Sequence, residues 1–167
     1  MKTALLTLSL MLAVNANISA QDRPARLIDV PVQYAKDNAP TLALVFLAGV
    51  FDAHTEIIRS DYKAFKEVFP GANDKWWNPA ISHRNKWKNG DPANGPAFWQ
   101  STGVLVGLTD AHHALRGADN ACWLVAFSLK IGEKPNLKDI LVDIAAHWAA
   151  NKVGFNLTYH GLYKHQF

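Results

Sequence analysis

Residues Asn73 to Thr102 read NDKWWNPAISHRNKWKNGDPANGPAFWQST. The Asn-Pro, Asn-Gly, Asp-Pro and Gly-Pro steps favour turns, because proline pre-sets φ and glycine supplies left-handed conformations. Trp76, Trp77, Trp87 and Trp99, four of the six tryptophans in the chain, bring apolar surface that needs a packing partner. A long segment with both properties reads as an ordered surface loop, and its aromatic content argues against disorder. The flanking sequences carry helical periodicity. The stretch therefore predicts a mainly α fold of about four helices packed around a long ordered Trp-rich loop, with membrane association.

Upstream, Thr41 to Phe69 predicts a long helix, started by Pro40-Thr41 and stopped by Pro70-Gly71. Leu47, Val50, Ile57, Ile58, Phe65 and Val68 recur at three- and four-residue spacing and form one apolar face. The apolar run from Leu42 ends at Asp52, short of a bilayer span. Downstream, Pro96 to Arg116 predicts a second helix, and Asn120 to Ile131 a third, apolar on nearly every side and suited to burial in protein or lipid. Asn136 to about Asn151 predicts a fourth, with Asn136 as N-cap, Asp139 in capping-box position and Gly154 as a stop. The tail from Phe155 predicts a short strand or docked coil.

Residues 1–20 carry Lys2, an apolar stretch from Ala4 to Val14 and small residues before Gln21, the pattern of a secretory signal peptide or an uncleaved anchor. Residues 21–40, with three prolines, predict an extended lead-in, and 41–167 a single domain. The expected location is outside the cytoplasm, in the cell envelope: periplasmic and membrane-associated. The net charge of +3 is too small to imply a nucleic-acid partner. The only cysteine, Cys122, excludes an intramolecular disulfide and sits in an apolar run as a small hydrophobe.

Chemistry concentrates in the histidines. Asp52-x-His54-x-Glu56, Asp110-x-His112-His113 and Asp143-x-x-x-His147 each place a carboxylate beside imidazole on a helical segment. Helical bundles build metal sites from such groups on facing helices. His54, Asp110, His112, His113, Asp143 and His147 are therefore the candidate ligands for a divalent metal such as zinc, which would lower the pKa of a bound water for hydrolysis of phosphate esters or lipids. The competing interpretation makes them interior histidines bonded to neighbouring Asp or carbonyl groups. HExxH, CxxC, GxSxG and Gly-rich phosphate-loop patterns are absent.

The loop offers a different function. Trp76, Trp77, His83, Arg84, Lys86, Trp87, Lys88 and Trp99 combine aromatic and basic groups, which suit the membrane headgroup layer, where a membrane lipid or envelope partner would bind. The same side chains suit a carbohydrate- or peptide-binding module. The NPAISHRNKWKNGDP string and the following TDAHH resemble an uncharacterised family of small membrane-type proteins of Bacteroidetes and their phages. The likeness covers roughly Gly49 to Arg116, departs at His83, where the family pattern has tryptophan, and implies short membrane helices without implying a function.

Overall fold

The computed structural model describes residues 29–133 and 135–164. The segment expected to be a signal peptide lies outside them, as do residues 21–28 of the expected lead-in. The chain divides after Ala39 into two units.

The described part of the first unit holds α1 (Asp29–Asp37), closed by Asn38, whose backbone N–H and side-chain amide both donate to Tyr34 O at 3.0 Å. A helix here corrects the expected extended lead-in. Pro31 lies in the first turn of α1 and Pro40 in the first turn of α2, where backbone N–H groups have no helical acceptor and a missing donor costs little.

In the second unit, mainly helical as expected, α2 (Ala39–Ser60) is the core helix, with Val45, Ala48, Ala53 and Ile57 fully buried. The long helix foreseen to Phe69 breaks at Asp61. That residue leaves helical geometry at φ −144° and caps α3 (Tyr62–Val68) by accepting from Ala64 N–H at 3.0 Å. The Trp-rich loop is ordered, and it contains two single-turn helices, α4 (Asp74–Trp77) and α5 (Pro79–Ser82), capped by Asn73 and Asn78. Beyond them the chain doubles back: Lys88 N–H donates to Gly95 O and Ala97 N–H to Lys86 O, both at 2.9 Å. Asn89 and Gly90 at the turn have φ of 55° and 73°, the left-handed pair that an Asn-Gly step supplies.

The helix expected from Pro96 is instead turns and one 3₁₀ segment, Val106–Leu108. Helix α6 (Ala111–Ser128) starts at its Asp110 cap and absorbs the segment predicted as a separate third helix. Helix α7 (Leu137–Asn156) opens on the anticipated capping box: Asp139 N–H donates to Asn136 Oδ1 at 3.0 Å, and Asn136 N–H to Asp139 Oδ2 at 3.4 Å. Gly154 does not stop it. That glycine packs against the backbone of Phe46, as Gly49 does against Asn151, so α2 and α7 cross backbone to backbone. The tail is a π-helical turn, Leu157–Leu162, rather than a strand, and its Tyr159, with the following Tyr163, joins Ile57, Ile58, Phe65 and Ala111 in the main core. No strand occurs among the described residues.

Candidate functional site

The start of α6 is built around one buried carboxylate. Asp110, 1% exposed, accepts from His113 N–H at 3.0 Å as the N-cap. His113 Nδ1 lies 2.9 and 2.8 Å from its two oxygens, and the Thr109 hydroxyl 3.0 Å from Oδ2. The Trp-rich loop braces this corner: Asn85 Nδ2 donates to Thr109 O at 2.9 Å and to Lys75 O at 2.6 Å. An Nδ1–H held by a carboxylate leaves Nε2 with its lone pair, the arrangement that orients metal-binding or proton-accepting imidazoles.

His112 stands beside His113, the rings edge to face at 5.4 Å. Burial, then the neighbouring His113, lowers its pKa against the opposing pull of the Asp110 carboxylate, and Arg116 and Arg59 add to the lowering. One ligand atom from each of Asp110, His112 and His113 falls within 4.8 Å of the other two. These three groups could hold a divalent cation. Asp110 is also fully hydrogen-bonded without one, as a helix cap.

The other expected ligands do not join them among the described residues. His54 donates through Nδ1 to Val50 O at 2.9 Å and packs edge-on against Tyr163. His147, buried, donates to Asp143 O at 2.7 Å, one turn back on its own helix, and the Asp143 carboxylate pairs with Lys130 at 3.3 Å. Each imidazole is thus satisfied locally, which removes any drive to converge.

Arg59 on α2 and Arg116 on α6, outside the expected ligand set, lie close enough to act on His112. Arg59 pairs with Glu56 at 2.7 Å on α2. Asp119 on α6 has its pKa raised by burial and by the Asp52 charge from α2. Cys122 is raised as well, by burial and by Asp119, so its thiol is not an activated nucleophile.

The loop residues separate by environment. Trp76 and Trp77 are half-buried against the core, Trp77 stacking on Phe65 at 5.1 Å, so their surface is spent on folding. Trp87 is half-buried and bridges to Pro96. Lys86 is half-buried, and its carbonyl accepts from the buried Ser101 hydroxyl at 2.8 Å. His83, Arg84 and Lys88 are exposed, and Trp99 is 79% exposed.

The largest anomaly lies elsewhere. Leu124, Phe127 and Leu129 at the end of α6, Ile131 after it, and Leu137, Leu141, Ile144 and Trp148 on α7 are all more than half exposed. Among the described residues α2 alone is long and apolar enough to cross a membrane, but it is also the helix that builds the core. No protein-family model, curated protein or solved structure matches this chain.

Proposed function

We propose that this chain is an exported, membrane-associated helical protein of the cell envelope, seated on lipid through the second half of α6 and the first half of α7. The exposed apolar surface carries the reading. Leu124, Val125, Phe127 and Leu129 fall about 0°, 100°, 300° and 140° around the α6 axis at 3.6 residues per turn, and all are exposed. That apolar arc spans about 200°, wide enough to sink into the headgroup and upper acyl layer. Lys130, whose side chain is 20% exposed, pairs with Glu133 at 3.2 Å and Asp143 at 3.3 Å, which lessens the cost of bringing it to low dielectric. From Leu124 to Ile131 the chain rises only about 10 Å, far less than the ~30 Å hydrocarbon core, so the helices lie in one interface with the charged turn at headgroup level.

The test is flotation of detergent-free protein with phosphatidylcholine–phosphatidylglycerol vesicles, comparing wild type with the triple variant Leu124→Ser, Phe127→Ser, Ile144→Ser. Wild type should float and the variant should stay in the aqueous fraction with unchanged helical content. Wild type that remains aqueous overturns the seat, and a discrete dimer dispersed by the three serines reassigns the surface to self-association.

A second reading, metal-dependent hydrolysis of phosphate esters or lipids, is favoured by the Asp110–His112–His113 geometry. The two imidazoles and the carboxylate would hold a divalent ion such as zinc, which when bound supplies a nucleophilic water. Asp110 and Thr109 would orient His113, while Arg59 and Arg116 place positive charge near His112 for an anionic group. Elemental analysis of tag-free protein, with melting in the presence and absence of EDTA, decides it. Near-stoichiometric metal and a chelator-lowered melt support the reading. No metal and an unchanged melt refute it.

A further inference from the structure

Between α5 and α6 the Trp-rich loop has two limbs of different chemistry. The first, residues 84–88, carries Arg84, Lys86 and Lys88, whereas the second, residues 92–109, holds no charged side chain. Across residues 75–109 four cations, Lys75 included, stand against one acid, Asp91, which leaves +3, the net charge of the whole chain. Among the described residues none of Arg84, Lys86 and Lys88 enters an ion pair, and Arg84 and Lys88 are exposed. Arg84 lies against the turn that follows Lys88, its Cβ 3.6 Å from where a methyl group on Gly90 would sit.

The second limb holds apolar side chains out in solvent. Trp99 is 79% exposed, Val104 88% and Leu108 65%. The backbone keeps Trp99 there at a cost, because its neighbour Gln100 takes φ of 60°, a left-handed conformation that a residue with a side chain adopts only when its surroundings impose it. Hydrogen bonds impose it here: Ser101 N–H donates to Phe98 O at 3.1 Å and Gly103 N–H to Gln100 O at 3.0 Å. Lys86 O joins the limbs by accepting from Ala97 N–H at 2.9 Å and from the buried Ser101 hydroxyl at 2.8 Å. One pinned loop thus presents unneutralised cations together with an exposed tryptophan.

The chemistry of the missing partner is narrow. The cations call for anions, and Trp99 for a boundary between polar and apolar layers. Val104 and Leu108 are aliphatic and offer neither a sugar nor a base a ring to stack on. Anionic phosphates over acyl chains satisfy all three demands. Asn85 ties the basic limb to Thr109 O at 2.9 Å, next to the start of α6, so a chain seated with α6 in the interface keeps this loop near headgroup level.

We propose that the loop binds the anionic headgroups of a phospholipid bilayer, with Trp99 at the boundary of headgroups and acyl chains and Arg84, Lys86 and Lys88 against phosphates. The inference rests on the membrane seat proposed above: the seat anchors the chain, and the loop selects anionic lipid.

Partition coefficients of the full chain on phosphatidylcholine vesicles and on equimolar phosphatidylcholine–phosphatidylglycerol vesicles test it. Wild type should prefer the anionic vesicles. The double variant Arg84→Gln, Lys88→Gln should lose about twenty-five-fold of that preference, about fivefold per cation, while binding pure phosphatidylcholine as wild type does. Removing two exposed lysines outside the loop, by Lys63→Gln with Lys152→Gln, should cost far less. Trp99→Phe should abolish part of the emission quenching by lipids brominated on their acyl chains. Equal binding of wild type to both vesicles, a preference that survives removal of Arg84 and Lys88, an equal loss in the Lys63 and Lys152 variant, or unchanged quenching in Trp99→Phe would each overturn the loop and leave the seat standing. Wild type that binds neither vesicle removes both. A triple serine variant that still binds anionic vesicles, and ceases to when Arg84 and Lys88 are also replaced, removes the seat and keeps the loop. A soluble chito-oligosaccharide that shifts the Trp99 emission where vesicles do not would assign the surface to sugar and overturn the proposal.

Discussion

Gly49→Ala sets two helical backbones against each other. A methyl group on Gly49 would overlap the Asn151 carbonyl oxygen and sit 2.9 Å from Phe155 N. The obstructing atoms are backbone, so no side-chain rotation relieves them and α2 must move away from α7. That movement loosens Val45, Ala48 and Ala150, which are at most 5% exposed. Overpacking of a tight site costs about 1–3 kcal/mol, and a backbone obstruction belongs at the upper end. Alanine regains about 1 kcal/mol of helix propensity, for a net loss of about 2 kcal/mol. In a chain of this size that lowers the melting temperature by roughly 4–8 °C. Gly117→Ala is the control, since nothing lies within 4 Å of a methyl group there and only the propensity gain of about 1 kcal/mol remains. Thermal and urea unfolding followed by far-UV circular dichroism should therefore move the two variants in opposite directions. If Gly49→Ala melts at or above wild type, the close crossing is refuted.

Other substitutions probe separate parts of the argument. Asn136→Ala removes half of the α7 capping box and should cost about 1 kcal/mol in urea unfolding, with Asn136→Asp restoring most of it. Asn85→Ala strips the two hydrogen bonds that brace Thr109 and Lys75, and should lower stability by about 1–2 kcal/mol; an unchanged urea midpoint would mean the loop does not support the Asp110 corner. Asp119 has a raised pKa, so the folded state binds its proton more tightly than the unfolded chain, and the ionised carboxylate weakens the fold as pH climbs from about 3.9 through the folded value. Asp119→Asn should accordingly melt higher than wild type at pH 7, with the difference vanishing below about pH 4; a gain that persists in acid would point to some other cause.

Local, short-range chemistry was the part of this fold most open to sequence reading. The Asn136/Asp139 box, the Asn89-Gly90 turn and the Pro70-Gly71 stop all act within a few residues, and each stands where the pattern puts it. Asp61 and Asp110 belong to the same class and carried usable signals, since a short acidic side chain inside a helical pattern competes for the backbone as an N-cap. Reading Asp110 that way would have started α6 at Ala111 and shown that His113 must sit beside the carboxylate. Gly154 lay beyond local reading: its role as a crossing point depends on Phe46, more than a hundred residues away, and a helix-terminating glycine looks the same in sequence. The candidate ligands separated for a related reason. Helical spacing places His54 and His147 on faces, but whether an imidazole turns to a partner helix or to its own carbonyl one turn back is decided in three dimensions, and both turned back.

The two halves of α6 connect the proposals. Its first turns carry His112, His113, Arg116 and Asp119, and from Cys122 onward it is almost wholly apolar. From His112 to Phe127 is fifteen residues, or about 22 Å along the axis. A helix lying in the interface with Leu124 and Phe127 against acyl chains therefore keeps the His–Asp corner that far away along the surface, at headgroup level or above it. Any chemistry at that corner would then meet phosphate and glycerol groups or dissolved anions rather than hydrocarbon, in keeping with Arg59 and Arg116 beside His112. Lipid seat and His–Asp corner are thus separable by a single experiment: loss of vesicle binding in the triple serine variant should leave the metal content intact.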